Sequence, residues 1–123
     1  MIDHLELFVS DVPRATAFFR GALAPLGYTV HVEGKPVGFG ASRDRLDFWL
    51  NDGGPATPRP HFAFACATRA IVDRAHRAAL EAGGTDNGAP SVLLRIGPDY
   101  YAGFVRDPDG HNVEFVCQAP PAG

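Results

Sequence analysis

This 123-residue sequence has little net charge, no long apolar run and no recognisable leader. Its net charge of −3 gives it no excess of basic residues to meet nucleic acid or an anionic membrane surface. No apolar stretch approaches the ~20 residues that a membrane-spanning helix needs. The N-terminus lacks the basic-then-apolar pattern of a secretory signal peptide. We therefore expect a cytoplasmic protein with a small-molecule partner and no nucleic-acid or membrane partner.

Cysteine is also scarce, since the chain has only Cys66 and Cys117. Each ends a strand-like run, in phase with apolar neighbours. A free cysteine packs as a small hydrophobic side chain. We therefore expect two buried thiols rather than a disulfide, as a cytoplasmic location requires.

The feature that the sequence does have is an internal repeat. Asp-His-Leu at 3–5 is echoed by Pro-His-Phe at 60–62, and Leu-Asp-Phe at 46–48 is echoed by Val-Glu-Phe at 113–115. The first pair is 57 positions apart and the second 67, so the second copy contains about ten extra residues. One repeated unit therefore presents a histidine and a carboxylate twice.

Each copy is predicted to fold as a β-α-β-β-β module. Alternating apolar residues predict strands, and the 3.6-residue spacing after Asp11 and after Thr68 predicts one helix in each copy. The predicted strands lie at 2–9, 28–33, 36–41, 45–51, 61–67, 85–88, 99–106 and 111–117, with helices between Asp11 and Gly27 and from Thr68 to about Ala82.

The two copies are expected to form a single α+β domain over residues 1–123. Module 1 covers about 1–52, a Gly/Pro-rich linker about 53–60 and module 2 about 61–118. A module of about 55 residues alone would leave one face of its sheet bare, so pairing of the modules is what makes the domain stable.

Strand alternation places four potential metal ligands on the sheet faces that point away from the helices. His4, Asp47, His61 and Glu114 all lie opposite the apolar face that should pack on the helices. Imidazole and carboxylate groups together accept Zn²⁺, Ni²⁺, Mn²⁺ or Fe²⁺, and an incomplete shell leaves room for water or substrate. Asp47 is one methylene shorter than glutamate, so we expect it to support the site without binding the metal directly.

Phe8 and Trp49 share this strand parity and are predicted to line the substrate pocket, with Glu6 as a polar neighbour. Tyr100 and Tyr101 lie near the end of the extra residues and are further pocket candidates.

The strand register decides which tyrosine faces the pocket. If Arg106 pairs with His111, Tyr101 faces the pocket and Tyr100 faces the helices. A bulge would exchange the two tyrosines.

The segment at 104–115, FVRDPDGHNVEF, together with the duplicated module, resembles the vicinal oxygen chelate superfamily. That superfamily includes glyoxalase I, extradiol dioxygenases, fosfomycin-resistance enzymes and bleomycin-resistance binding proteins. The resemblance implies a cupped, open, eight-stranded mixed sheet. It also implies metal ligands at His4, His61 and Glu114, with a glyoxalase-type fourth ligand at Asp47.

Our leading hypothesis is a glyoxalase-like, metal-dependent lyase or isomerase that acts on a small oxygenated metabolite or xenobiotic. A divalent ion would stabilise an oxyanion, while Glu114, or Asp47 if uncoordinated, would move the proton. The alternatives are a bleomycin-resistance-like protein that sequesters a small molecule without turnover, and a duplicated scaffold with a vestigial site. Metal content separates the enzyme from the sequestering protein.

The exposed edges of a cupped sheet favour a homodimer. His4 and Asp47 belong to module 1, whereas His61 and Glu114 belong to module 2. The linker allows the modules to pair within a chain or to be exchanged between two chains, so the sequence leaves open whether one chain or two complete a site.

Overall fold

The computed structural model describes residues 1–121 as two successive β-α-β-β-β modules. The first module contains β1 (Leu5–Val9), α1 (Val12–Leu23), β2 (Thr29–Val32), β3 (Val37–Ser42) and β4 (Arg45–Asp52). The second contains β5 (Phe62–Ala65), α2 (Arg69–Glu81), β6 (Thr85–Val92), β7 (Tyr101–Arg106) and β8 (Asn112–Cys117). The predicted α+β class and module order are confirmed.

The eight strands form two four-stranded mixed sheets, ordered β1-β4-β3-β2 and β5-β8-β7-β6. β1 runs parallel to β4, and β5 runs parallel to β8, while all other neighbouring strands are antiparallel. The sheets do not close, so β1 and β5 remain edge strands of the described chain. Both of the predicted histidine ligands lie just before these edge strands.

Both helices begin where side-chain capping predicts. The Asp11 carboxylate accepts a hydrogen bond from the Arg14 amide at 3.0 Å, and the Thr68 hydroxyl accepts one from the Ile71 amide at 3.2 Å. After α1 a 3₁₀ turn ends at Gly27, whose φ of 83° is the left-handed conformation that glycine adopts without strain.

The largest departure from the predicted elements lies between β6 and β7. Strand β6 extends to Val92, beyond the expected 85–88, and β7 begins at Tyr101, not at residue 99. Residues 93–100 form a compact loop instead, closed by a hydrogen bond from the Leu93 amide to the Tyr100 carbonyl at 2.8 Å. The extra residues of the second copy therefore lengthen a strand and build this loop, called the 93–100 loop below.

One apolar core joins the two modules. Phe19 of α1 reaches Phe62 of β5, with ring centroids 6.4 Å apart, and Phe48 of β4 meets Phe64 of β5 at 5.2 Å. The helix-facing sides of both sheets are thus buried in the same core, which also contains both helices. The opposite sheet faces lie outside this core.

A polar contact also links the modules. Ser10, just after β1, donates to Asp109 from its amide at 3.0 Å and from its hydroxyl at 2.5 Å. Burial by itself would raise the pKa of Asp109, but the two Ser10 hydrogen bonds, with the charges of His111 and Arg14, hold it below its usual value. The β7–β8 turn is therefore fixed to the end of β1.

The two cysteines are free and buried, as predicted. Burial, followed by the proximity of Cys117, raises the pKa of Cys66 to about 11. Both thiols therefore pack as apolar groups. Among residues 1–121, no helix combines the length and apolar character needed to cross a membrane.

Candidate metal centre

The centre of the candidate site is a histidine–carboxylate pair in module 2. Strands β5 and β8 pair with Ala63 beside Glu114, so His61, at the start of β5, lies next to the same carboxylate. The His61 Nε2 atom is 2.9 Å from Glu114 Oε1. Glu114 is only 4% exposed, although the His61 side chain remains 47% exposed. The predicted association of these two residues is present in the structure.

The other ring nitrogen of His61 fixes its tautomer. Nδ1 lies 2.7 Å from the backbone carbonyl oxygen of Asn112. A carbonyl only accepts hydrogen bonds, so Nδ1 must carry a proton. In the neutral ring the lone pair is then on Nε2 and points toward Glu114. A hydrogen bond from the outer nitrogen to a carbonyl is the arrangement that orients metal-binding histidines.

The spacing of this pair fits a divalent cation. Ligand atoms about 2.0–2.2 Å from one ion are separated by about 2.8–3.1 Å at octahedral angles and about 3.3–3.6 Å at tetrahedral angles. The distance of 2.9 Å between Nε2 and Oε1 fits octahedral angles and needs to increase only slightly for both atoms to bind one ion at tetrahedral angles. Within residues 1–121, however, no group of three or more His, Cys, Asp or Glu side chains is close enough to hold a metal. One chain therefore brings together two of the expected ligands.

Tyr100 contacts Oε2, the second carboxylate oxygen of Glu114. Its hydroxyl donates a hydrogen bond to Oε2. This bond, together with burial and the negative charge of Glu114, raises the pKa of Tyr100 to about 12, so the phenol keeps its proton at neutral pH. The 93–100 loop thus delivers a hydrogen-bond donor to the predicted metal ligand.

The register of β7 and β8 differs by one residue from the one in which Tyr101 would face the pocket. Arg106 pairs with Asn112, not with His111, and Phe104 is opposite Glu114. The intervening turn is longer than expected because the Asp107 carboxylate accepts hydrogen bonds from both the amide and Nδ1 of His111, each at 2.8 Å.

The shifted register exchanges the faces of the two tyrosines. Tyr101, expected to face the pocket, lies on the helix side, where its hydroxyl donates to Asp73 at 2.6 Å and its ring lies 5.1 Å from the Arg69 guanidinium. Tyr100 is the tyrosine beside Glu114. Phe104, which the expected register had turned away, lies 6.3 Å from the His61 ring between centroids.

His4 does not join the His61–Glu114 pair in the described chain. It is about half exposed and its Nδ1 lies 2.8 Å from Asp3 Oδ1. His4 and His61 line the same cleft of about 520 Å³, but Glu114 is not part of its lining. The metal-binding role of His4 stays a prediction.

Asp47 is turned toward a different partner. Between β3 and β4 the pairing advances by one residue on β3, from Phe39 to Gly40, but by two on β4, from Phe48 to Leu46. Asp47 is the additional residue of this bulge, so simple alternation does not give its direction.

Asp47 Oδ2 accepts a hydrogen bond from the Tyr28 hydroxyl at 2.7 Å, and Oδ1 is buried without a partner within residues 1–121. Burial, followed by this hydrogen bond, raises the pKa of Tyr28 to about 12. Sequence patterns missed Tyr28 because the contact depends on the bulge.

The other predicted pocket residues lie on module 1. Phe8 is 44% exposed on the outer face of β1. Trp49 covers Gly38, where an added Cβ would be 2.8 Å from the indole ring. Trp49 and Glu6 line a second cleft of about 380 Å³ that also includes His4. Trp49 and Glu6 thus share a cleft with the module 1 histidine, Phe8 lines neither cleft, and Tyr100 and Phe104 lie beside the module 2 pair.

The sequence model of the Glyoxalase/Bleomycin resistance protein/Dioxygenase superfamily matches residues 1–115. The chain belongs to this superfamily. Members of the superfamily bind small molecules, are typically metal-dependent and often form dimers. No curated protein is similar enough to this sequence to count as a match.

Solved structures show the same fold. A glyoxalase/bleomycin resistance protein from Albidiferax ferrireducens T118 is 20% identical, with a TM-score of 0.72 over 96% of this chain and 98% of that chain. Lactoylglutathione lyase from Agrobacterium tumefaciens is 22% identical, with a TM-score of 0.65 over 95% and 92%. The fosfomycin resistance protein FosX from Mesorhizobium loti is 18% identical, with a TM-score of 0.71 over 95% and 91%. The superfamily fold therefore extends over almost the whole chain.

Proposed function

We propose that this protein is a metal-dependent, glyoxalase-like enzyme that acts on a small oxygenated metabolite or xenobiotic. The observation that carries the proposal is the His61–Glu114 pair. Its Nε2 and Oε1 atoms are 2.9 Å apart, and the Asn112 carbonyl fixes the ring tautomer that leaves Nε2 free to bind a cation. The likeness to a lactoylglutathione lyase and to a fosfomycin resistance protein is consistent with this class of chemistry.

A bound Zn²⁺, Ni²⁺, Mn²⁺ or Fe²⁺ would act as a Lewis acid for negative charge that develops on a substrate oxygen. His61 and Glu114 would hold the ion. We assign the acceptance and return of a substrate proton to a carboxylate oxygen that is not bound to the ion: Glu114 if its Oε1 is released, or Asp47, whose Oδ1 has no hydrogen-bond partner within residues 1–121. Tyr100 holds Oε2 by a hydrogen bond, and the Phe104 ring lies beside the His61 ring.

We further propose that the enzyme is a homodimer in which His4 of a second copy completes each metal site. One chain offers only two converging ligands among residues 1–121, which is fewer than the three or more of ordinary sites. The outer faces of the two sheets, which carry His4 and His61, lie outside the shared core. β1 and β5 are unpaired edges, which a second copy would cover.

Metal content tests the enzyme proposal. Protein purified without chelator should contain close to one divalent ion per chain, and both His4→Ala and His61→Ala should remove most of it because too few ligands remain. His31→Ala is the matched control, because this partly exposed histidine of β2 lies outside both clefts. The variant should keep its full metal content. A wild-type protein that binds small oxygenated molecules but no metal would favour the sequestration alternative.

Mixing the two histidine variants tests the origin of the ligands. In a mixed dimer with shared sites, one site has lost both histidines and the other retains both. Random exchange of subunits should then restore metal binding to about a quarter of all sites. If one chain completes the site alone, the mixture should bind no more metal than the separate variants, and the shared-site proposal is wrong.

We propose a cytoplasmic location for this enzyme. Its two cysteines are buried and unpaired, as expected in a reducing compartment. Fractionation of the native host, with the protein recovered outside the cytoplasm, would contradict this location.

A further inference from the structure

We propose that Tyr100 is a positioning residue that holds Oε2 of Glu114 and reserves Oε1 for the metal. This inference rests on the proposed metal site and assigns a specific task to the 93–100 loop. The hydroxyl of Tyr100 donates to Oε2, while Oε1 faces His61 Nε2. The two oxygens of one carboxylate are therefore given two different partners.

The 93–100 loop is built to bring Tyr100 to this place. The Leu93 amide donates to the Tyr100 carbonyl at 2.8 Å, and the Ile96 amide donates to the Leu93 carbonyl at 2.9 Å. The Tyr100 amide in turn donates to the Gly97 carbonyl at 3.3 Å. These bonds close the loop on itself directly before β7 begins at Tyr101, so the loop holds Tyr100 at a defined place beside the start of that strand.

The consequence for the carboxylate follows from its burial. Glu114 is 4% exposed, so without Tyr100 its Oε2 would be a buried acceptor that water replaces poorly. If the carboxylate then bound a cation through both oxygens, Oε2 would again have a partner. With the phenol in place, Oε2 is satisfied and Oε1 alone remains available. Tyr100 therefore favours binding through one oxygen and keeps a coordination position free for substrate.

The first module contains a related arrangement without the loop. Asp47, the repeat equivalent of Glu114, accepts a hydrogen bond from Tyr28, which follows α1 in the chain. In each module a phenol therefore holds one oxygen of the repeated carboxylate, although the two tyrosines come from different elements. Only in module 2 does the other oxygen face a histidine.

Two adjacent tyrosines provide a matched test. Tyr100→Phe removes the hydroxyl beside Glu114, whereas Tyr101→Phe removes one that donates to Asp73 on the helix side. Zn²⁺ affinity of each metal-free protein is measured by competition with a chromophoric chelator. Loss of the hydrogen bond that orients the ligand should weaken binding by about 10–100-fold for Tyr100→Phe, even though the freed Oε2 can then also turn toward the ion. Tyr101→Phe should stay within a few-fold of wild type.

A second readout reports on the carboxylate itself. The visible absorption of bound Co²⁺ depends on coordination number, so binding through both oxygens in Tyr100→Phe should change its intensity, while Tyr101→Phe keeps the wild-type spectrum. Thermal unfolding of the metal-free variants separates loss of fold from loss of positioning. Should Tyr100→Phe not fold, Tyr100→Gln, which retains an N–H donor and adds no imidazole ligand, is expected to bind Zn²⁺ close to the wild-type level.

The outcomes separate this inference from the proposed function. If the wild-type protein binds no Zn²⁺ or Co²⁺, the metal site itself is wrong and the role of Tyr100 falls with it. If wild type binds and Tyr100→Phe matches it in affinity and in Co²⁺ spectrum, only the positioning role is overturned. Equal losses in both phenylalanine variants would likewise overturn it, because the loss would then be structural.

Discussion

Replacing Asp107 by alanine should destabilise the fold more than any surface change in this chain. Asp107 is 5% exposed, and its partner His111 is fully buried. The carboxylate accepts from the Asp109 amide at 3.0 Å and from the amide and Nδ1 of His111, each at 2.8 Å. Asp107→Ala would remove all three hydrogen bonds and leave a buried imidazole N–H without a partner.

The size of the effect follows from these three contacts. A hydrogen bond to a charged group contributes about 1.5–3 kcal/mol, but the three share one carboxylate and the Asp109 amide regains some contact with water, so they do not add fully. Removal of one member of a buried pair costs about 3–5 kcal/mol, and we expect Asp107→Ala to fall in that range. For a domain of this size the melting temperature should fall by about 10–20 °C.

Urea unfolding followed by circular dichroism measures the free energy of unfolding directly. Asp44→Ala, at the exposed β3–β4 turn, is the control and should remain within about 0.5 kcal/mol of wild type. Metal affinity should also fall in Asp107→Ala, because the next residue after His111 is Asn112, whose carbonyl orients His61. A loss of stability below about 1 kcal/mol would refute the reasoning, since it would mean that the carboxylate is not needed to satisfy the turn.

Three further predictions concern packing and pH. Gly84→Ala should lower the free energy of unfolding by about 1–3 kcal/mol, because its Cβ would be 2.4 Å from a valine methyl of β7, whereas Gly97→Ala, with its nearest contact at 3.9 Å, should cost much less in the same urea assay. Ser10→Ala should lower the free energy of unfolding at neutral pH and make it less sensitive to acid. The lowered pKa of Asp109 stabilises the fold above the pKa that this carboxyl has in the unfolded chain, and this stability is lost as pH falls through its pKa in the folded protein. Unfolding is measured from neutral to acid pH, and equal losses of stability in wild type and Ser10→Ala would contradict the prediction. The hydrogen bond to a helix carboxylate raises the pKa of Tyr101 from 10.0 to about 12. The Tyr101 phenol should therefore contribute stability below pH 10 that is lost as pH rises toward 12. The difference between the absorbance titrations of wild type and Tyr101→Phe should have its midpoint well above pH 10.

Features that depend on neighbouring residues in the chain were predictable from the sequence. The Asp11 and Thr68 caps follow from side-chain chemistry within three residues, and Gly27 marks the end of the α1 region through its own backbone. The pairing of His61 with Glu114 was also predictable, because the repeat places both residues on the same strand parity. The caps and the helix end need no knowledge of how distant segments meet, and the His61–Glu114 pair needs only the order of strands in the repeated module.

Features that depend on the meeting of two strands were not predictable in this way. The bulge that turns Asp47 toward Tyr28 exists only because β3 and β4 pair out of step. The positions of Tyr100 and Tyr101 depend on the length of the β7–β8 turn, which the buried Asp107 carboxylate sets. A one-residue difference in register reverses every side chain of a strand, so such errors fall directly on the candidate site.

The self-closed 93–100 loop makes this protein a practical scaffold for altering specificity. Leu94 and Ile96 at its surface are 76% and 54% exposed, while the backbone bonds that position Tyr100 involve no side chain of the loop. Libraries of substitutions at these two positions would therefore change the shape and polarity of the loop surface that precedes Tyr100 and leave the phenol in place. The extra residues of the second repeat thus offer a variable surface on a fixed frame, an arrangement suited to selecting variants that accept new substrates.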